Sequence, residues 1–221
     1  FHGSSPFPFP DQAIQIYLHQ TFRMKIPFAA LALFLLFFAC GKKDIPAPPA
    51  DPHPVMRYID LGNRKVFPGR VEMIDCNGDN RADFFFNTRL VGDPVLQRDR
   101  LQFLANSMVS SNILADPHNN TAVFDKNSMI RNNAPAGLDW YEVQDVTLAE
   151  KIIPLQGPVF WQGSWKDAIR KYLPLQIRNN NLFYQGWIEL SMDRMLEQLI
   201  LHRAAMSTEP GRDVKAGYQV P

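Results

Sequence analysis

Apolar and polar positions fall into two regimes along the chain. Ile26 to Ala39 is a run of fourteen residues without a charged or hydrogen-bonding side chain. Beyond residue 54 the apolar positions come in short runs bounded by turn residues: Met56 to Leu61, Arg70 to Ile74, Ala82 to Phe86, Leu101 to Leu104, Tyr141 to Val146, Val159 to Trp161, Leu173 to Ile177, Leu182 to Leu190 and Gln198 to His202. Runs of this length, rich in β-branched and aromatic residues, predict strands. Segments such as Asp116-Pro117-His118-Asn119-Asn120 and Asn132-Asn133-Ala134-Pro135-Ala136-Gly137 supply the turn chemistry between them. Two stretches, Gln97 to Asn106 and Trp165 to Tyr172, read as short helices. No repeat of the solenoid or propeller kind is visible. The expected fold is all-β, a sandwich of antiparallel strands with one or two short helices over residues 55–217, followed by a tail at 218–221.

The N-terminal run has a different meaning. Spanning ~30 Å of hydrocarbon takes roughly 20 apolar residues, whereas a signal-peptide core takes ~7 to 15. Its flanks agree: Met24-Lys25 offers a start and a positive charge, and Ala39 is the small residue that a signal peptidase needs before its cut. Residues 24–39 are therefore expected to be a signal peptide, and residues 1–23 an upstream extension with no role in the mature protein.

Phe37-Phe38-Ala39-Cys40-Gly41 resembles the lipobox of bacterial lipoproteins, with Phe37 standing where leucine is more usual. The resemblance implies cleavage before Cys40 and lipid on that cysteine. The expected address is the cell envelope, at the outer membrane of a Gram-negative bacterium, with the membrane as a partner through the N-terminal lipid. Two or three acyl chains would hold stably, because each buried methylene contributes ~0.8 kcal/mol. Residues 40–54 follow with Lys42, Lys43 and Asp44 and then Pro46, Pro48, Pro49, Pro52 and Pro54, the composition of an extended tether.

From Cys40 onward, 21 Lys plus Arg balance 21 Asp plus Glu, so the mature chain is formally neutral. Neutrality removes the attraction to phosphate on which nucleic-acid binding depends, and nucleic acid is excluded as a partner. With Cys40 lipidated, Cys76 is the one thiol left. It cannot form an internal disulfide and is expected to be a small buried hydrophobe.

One segment carries recognisable chemistry. Asp75-Cys76-Asn77-Gly78-Asp79-Asn80-Arg81-Ala82-Asp83 places side-chain oxygens at alternate positions of a tight loop, with the Arg81 main-chain carbonyl as a further donor. Ca²⁺ takes six to eight such oxygens at ~2.3 to 2.6 Å. The loop resembles the aspartate-rich calcium loops of integrin-type FG-GAP repeats through Asp75, Asn77, Gly78, Asp79 and Asp83. Asn80 replaces the usual glycine, and it tolerates a left-handed backbone. Phe86 stands where an EF-hand has its bidentate glutamate, which argues against an EF-hand. A structural Ca²⁺ is expected at Asp75, Asn77, Asp79, Arg81 and Asp83; a hairpin turn with solvated carboxylates is the other reading of the same residues.

At the other end of the chain, Tyr184-Gln185-Gly186-Trp187-Ile188-Glu189-Leu190, Leu199 to Ala205, Pro210-Gly211 and Val214 to Gly217 resemble the C-terminal strands of a family of uncharacterised exported bacterial β-sandwich proteins. That family also tends to carry an Asp/Asn-Gly-Asp loop followed by Asp-Phe, matched here by Asp79 and Asp83-Phe84. The resemblance implies a fold and an address, without an activity.

Two functional classes remain open. A polysaccharide-active hydrolase would need two carboxylates ~5 to 9.5 Å apart, and Glu189 with Asp193 is the nearest pair, though solvated carboxylates explain it as well. His53, His118 and His202 have no metal-ligand spacing and read as satisfied loop or surface histidines. Ser164 lacks the second glycine of a nucleophile elbow. A surface binding or structural module, with carbohydrate or another envelope protein as partner, is the leading reading. Trp140, Tyr141, Trp161, Trp165 and Trp187 could supply an aromatic platform for sugar rings, yet such residues more often fill a sandwich core.

Overall fold

The computed structural model describes residues 53–219. Thirteen strands follow in chain order: β1 Met56–Val66, β2 Glu72–Ile74, β3 Phe84–Asp93, β4 Arg98–Ser107, β5 Ser111–Ala115, β6 Met129–Ile130, β7 Asp139–Glu142, β8 Asp145–Pro154, β9 Phe160–Gln162, β10 Lys171–Asn179, β11 Leu182–Asp193, β12 Gln198–Ser207 and β13 Val214–Lys215. They form a six-stranded sheet in the order β1-β12-β11-β10-β5-β7, a five-stranded sheet in the order β2-β3-β4-β8-β9, and the small pair β13-β6. Every ladder between these strands is antiparallel.

Period-two alternation turns one face of each large sheet toward the other. Phe84, Phe86, Leu101, Phe103 and Leu148 come from the five-stranded sheet, and Leu173, Leu175, Ile188, Leu190 and Leu201 from the six-stranded one; all lie in a single core. Each buried phenylalanine or leucine contributes about 1.5–3 kcal/mol. The all-β sandwich is therefore the fold.

The six-stranded sheet is also covered on its outer face. Met56, Tyr172, Trp187 and Ala205 pack there with Ile130, Val214 and Ala216 in a second apolar cluster. This explains why β10 and β11 are buried almost continuously along their centres, a pattern expected when both faces of a strand are covered.

Among the described residues there is no helix, and both expected helices are corrected. Gln97 to Asn106 is mostly β4, pinned between β3 and β8. Its Gln, Arg and Leu content favours helix locally, but Leu101, Phe103 and Ala105 alternate into the core, and ladders on both sides override the propensity. Trp165 to Tyr172 is a turn leading into β10: Ala168 N–H donates to the Trp165 carbonyl (3.0 Å), and Trp165 N–H to that of Leu148 (3.1 Å).

The end of the expected tether also differs. His53 and Pro54 are buried. The His53 ring stacks on Tyr218 at 3.6 Å and its Nε2 accepts the Lys215 N–H (3.0 Å), so these residues belong to the folded domain.

Candidate functional site

Residues 75–83 connect β2 to β3. The Asp83 N–H donates to the Ile74 carbonyl (2.9 Å), which closes the base of the loop. Inside it the side chains fold back on the main chain. Asp75 accepts from Gly78 and Asn80 N–H, Asn77 Oδ1 accepts from Asp79 N–H (2.9 Å), and Asp79 Oδ1 accepts from Arg81 N–H (2.9 Å). Asp83 Oδ2 accepts from Cys76 N–H (2.7 Å) and Asn77 N–H (3.2 Å). Gly78 has φ +80° and Asn80 φ +66°, so Asn80 does adopt the left-handed conformation in place of glycine.

The five residues expected to hold Ca²⁺ thus share one loop, with three carboxylates on it. None of Asp75, Asp79 and Asp83 forms an ion pair among the described residues. Arg57, the guanidinium that reaches the loop, donates instead to the Asn77 carbonyl (2.6 Å). Asp83 is only 6% exposed. Burial, and then the charges of Asp79 and Asp75, push its carboxyl up to about 6 against the pull of the Cys76 and Asn77 N–H groups. Among the described residues no three or more His, Cys, Asp or Glu are grouped to hold a metal ion by themselves. A calcium site here must add neutral oxygens, the Asn77 amide and the Arg81 carbonyl, and that mixed donor set is the kind a hard cation takes. The donor chemistry fits Ca²⁺. Cys76, the second residue of the loop, turns into the core at 1% exposure, and burial followed by Asp83 pushes its thiol well up, as expected for an inert core cysteine.

Glu189 and Asp193, the carboxylate pair considered for hydrolysis, are tied up. Glu189, on β11, is 1% exposed. It is held by Arg170 (3.1 Å) and by the Nε of Arg203, whose guanidinium lies 5.7 Å from the Trp187 ring centroid. Asp193 caps the β11–β12 turn, accepting N–H bonds from Met195 and Leu196 at 3.0 Å each. The two do not share a task, because one is locked in an ion-pair triad and the other shapes a turn.

His202 sits between Ser191 (Nε2 to Oγ, 2.8 Å) and Asn63 (Nδ1 to Oδ1, 2.6 Å). Burial, and then Arg170, hold its imidazole below the usual range, so the neutral ring donates from Nδ1 and accepts the Ser191 proton at Nε2. The order resembles a nucleophile relay. However, Ser191 Oγ also accepts the Arg170 N–H (2.8 Å), which draws electron density from the oxygen. The three side chains join the register shifts of β1 and β12, at Asp60/Arg64 and opposite Glu189/Leu190, and act as a clamp. His118 stays in an exposed turn whose N–H donates to Asp116 (2.8 Å).

Of the five aromatics, Trp165 and Trp187 are core. Trp161 packs tilted on Phe103, with ring centroids 5.8 Å apart. Trp140 is half-buried and lines a cleft of about 390 Å³ on the outer face of the six-stranded sheet, together with Asn112, Asn132, Gln176 and Phe183. Sequence reading passed over these amides. Their signal is a polar residue at an outward position inside an apolar run, as with Gln176 in Leu173-Pro174-Leu175-Gln176-Ile177. Cys40 lies outside the described residues.

Comparisons of the chain with protein-family models, with curated proteins and with solved structures give no match.

Proposed function

We propose that this chain is a lipid-anchored module of the bacterial cell envelope whose domain binds a partner at the surface and is stabilised by Ca²⁺ in the 75–83 loop. The observation that carries the reading is the loop itself: three carboxylates, one of them buried, none of them ion-paired among the described residues. The Arg57 guanidinium at the loop is bonded to the Asn77 carbonyl and to none of the three carboxylates, which leaves them free to take a cation from outside. Asp75, Asn77, Asp79 and Asp83 would hold the ion through side-chain oxygens and Arg81 through its carbonyl. Binding is favoured over hydrolysis because Glu189 and Asp193 are committed to structure. Support for the anchor comes from the signal-peptide run and Ala39-Cys40.

The test is thermal unfolding of the Cys40→Ser chain, started at residue 40, with excess Ca²⁺ and in EGTA. An ion bound only by the folded state adds RT ln(1 + [L]/Kd), about 2.7 kcal/mol at a hundredfold excess over Kd. The melting temperature is expected to rise with Ca²⁺, and Asp79→Ala to abolish the rise. Equal melting curves would remove the ion from this reading. Lipidation is read separately, by incorporation of a labelled fatty acid that Cys40→Ala eliminates.

A further inference from the structure

The register of the six-stranded sheet builds an unusual row. Gln176 of β10 lies opposite Gln185 of β11 on one side and Asn112 of β5 on the other, and Asn112 lies opposite Glu142 of β7. Leu175 and Ile177 point into the sandwich core, so by alternation this row of four polar side chains faces outward. Asn112, Gln176 and Gln185 are nevertheless buried, at 6%, 3% and 0% exposure. Burying amides stabilises nothing unless they are hydrogen-bonded, and apolar side chains would cover the sheet at lower cost.

The row is tied to the segment after β6. Asn112 Nδ2 donates to Gln176 Oε1 (2.9 Å), Gln176 Nε2 to the Asn132 carbonyl (3.3 Å), and Gln185 Nε2 to Asn132 Oδ1 (2.7 Å). Trp140 Nε1 donates to the same Asn132 carbonyl (3.1 Å), which fixes the indole beside the amides. Among the described residues, Gln185 Oε1 is left as a buried acceptor without a partner. Toward the rim, Arg178 pairs with both oxygens of Glu142 (3.0 and 3.1 Å), so the ionic groups of the cleft cancel.

We propose that this cleft is a binding site for a neutral saccharide, with Trp140 and Phe183 as the apolar walls, Gln176 in the floor, and Asn133 with the uncommitted amide groups of Asn112 (Oδ1) and Asn132 (Nδ2) as the polar contacts. The chemistry selects the ligand class. Amides donate and accept in one plane, which matches vicinal hydroxyls that do both, and aromatic rings cover the C–H faces of a sugar. The internally cancelled Glu142–Arg178 pair leaves no net charge to hold an acidic ligand. About 390 Å³ lies within the range of small-ligand sites and suits a short segment of a glycan rather than a protein surface. The proposal rests on the surface-binding reading and names its ligand.

The test uses the Cys40→Ser chain with Ca²⁺ present on an array of neutral and acidic oligosaccharides, followed by calorimetric titration of the best neutral binder. Saturable binding to neutral glycans is expected, weakened roughly tenfold or more by Phe183→Ala and by Trp140→Ala. Phe183 and Asn133 are exposed, so Phe183→Ala and Asn133→Ala keep the fold and remain informative if Trp140→Ala does not. Absence of saturable binding, a preference for acidic glycans, or equal affinity in both exposed-site variants overturns the proposal. The Ca²⁺-dependent melting shift is recorded on the same sample. If it persists while glycan binding fails, the cleft proposal falls alone; if both fail, the wider reading falls with it.

Discussion

Asp83 and Glu189 are both buried carboxylates, and the chain compensates them in opposite ways. Glu189 lies on the covered outer face of the six-stranded sheet, with Arg170 on one oxygen and Arg203 on the other. Asp83 sits at the base of a loop between two strands of the other sheet, near two further aspartates and with N–H groups but no cation for partners. The first site is electrostatically complete within the chain. The second holds its carboxylate with neutral hydrogen-bond donors, and on that difference the proposed Ca²⁺ rests, whereas the burial of Glu189 calls for no ligand.

Breaking the complete site should have the largest effect. Arg203→Leu leaves Glu189 buried with the mostly exposed Arg170 as its remaining cation, and removal of one partner of a buried pair costs about 3–5 kcal/mol. Urea unfolding should show that loss as a lower midpoint at unchanged slope. Glu189→Leu combined with Arg203→Leu should recover most of it, because a buried pair replaced by packed apolar side chains is often neutral. A single variant costing under about 1 kcal/mol would mean that Glu189 finds another partner, and the contrast with Asp83 would lose its first half.

The incomplete site should show itself through pH. The Asp83 carboxyl titrates near 6 when folded against an ordinary 3.8. The unfolded chain therefore releases this proton first as pH rises. The resulting penalty is absent below about pH 4, grows between the two values and is complete above pH 6, on the order of 3 kcal/mol. In EGTA, Asp83→Asn should be more stable than the parent at pH 7, with the advantage shrinking toward pH 4. Saturating Ca²⁺ should reverse the order at pH 7, because the ion favours the carboxylate that the amide lacks. An advantage that does not change with pH would sever the link between the loop and this proton.

How much of this could be read from the sequence depends on where the information lies. The loop was legible because its ligand positions are consecutive: Asp75 to Asp83 carries its spacing within nine residues. Strands such as Leu173 to Ile177 were legible as short apolar runs bounded by turn residues. β4 was legible only in part: the run Leu101 to Leu104 reads as a strand, but the helix-favouring residues around it are held in the hairpin with β3 and by the ladder to β8, which lies far along the chain. The amide row was hidden for the same reason. Asn112, Gln176 and Gln185 become neighbours only through the pairing of β5, β10 and β11, and each is an isolated polar residue in its own segment. The Ser191, His202 and Asn63 clamp depends on the register shifts of β1 and β12, which no local pattern announces.

The smallest expected effect separates shape from charge in the loop. A Cβ on Gly78 would lie 1.6 Å from Arg57 Nη1, and the φ of +80° is itself unfavourable for a residue with a side chain. The guanidinium ends a flexible side chain and can move aside, so Gly78→Ala should cost about 1–2 kcal/mol, chiefly from the backbone. In an Arg57→Ala background the steric part disappears and the backbone part stays, so the difference between the two costs measures the contact. Arg57 also places a positive charge beside a loop expected to bind a cation. Its removal should therefore tighten Ca²⁺ binding by about a few-fold even as the bond to the Asn77 carbonyl is lost. Weaker Ca²⁺ binding in Arg57→Ala would show instead that the guanidinium shapes the loop more than it repels the ion, and that the chain supplies from β1 part of the order the incomplete site lacks.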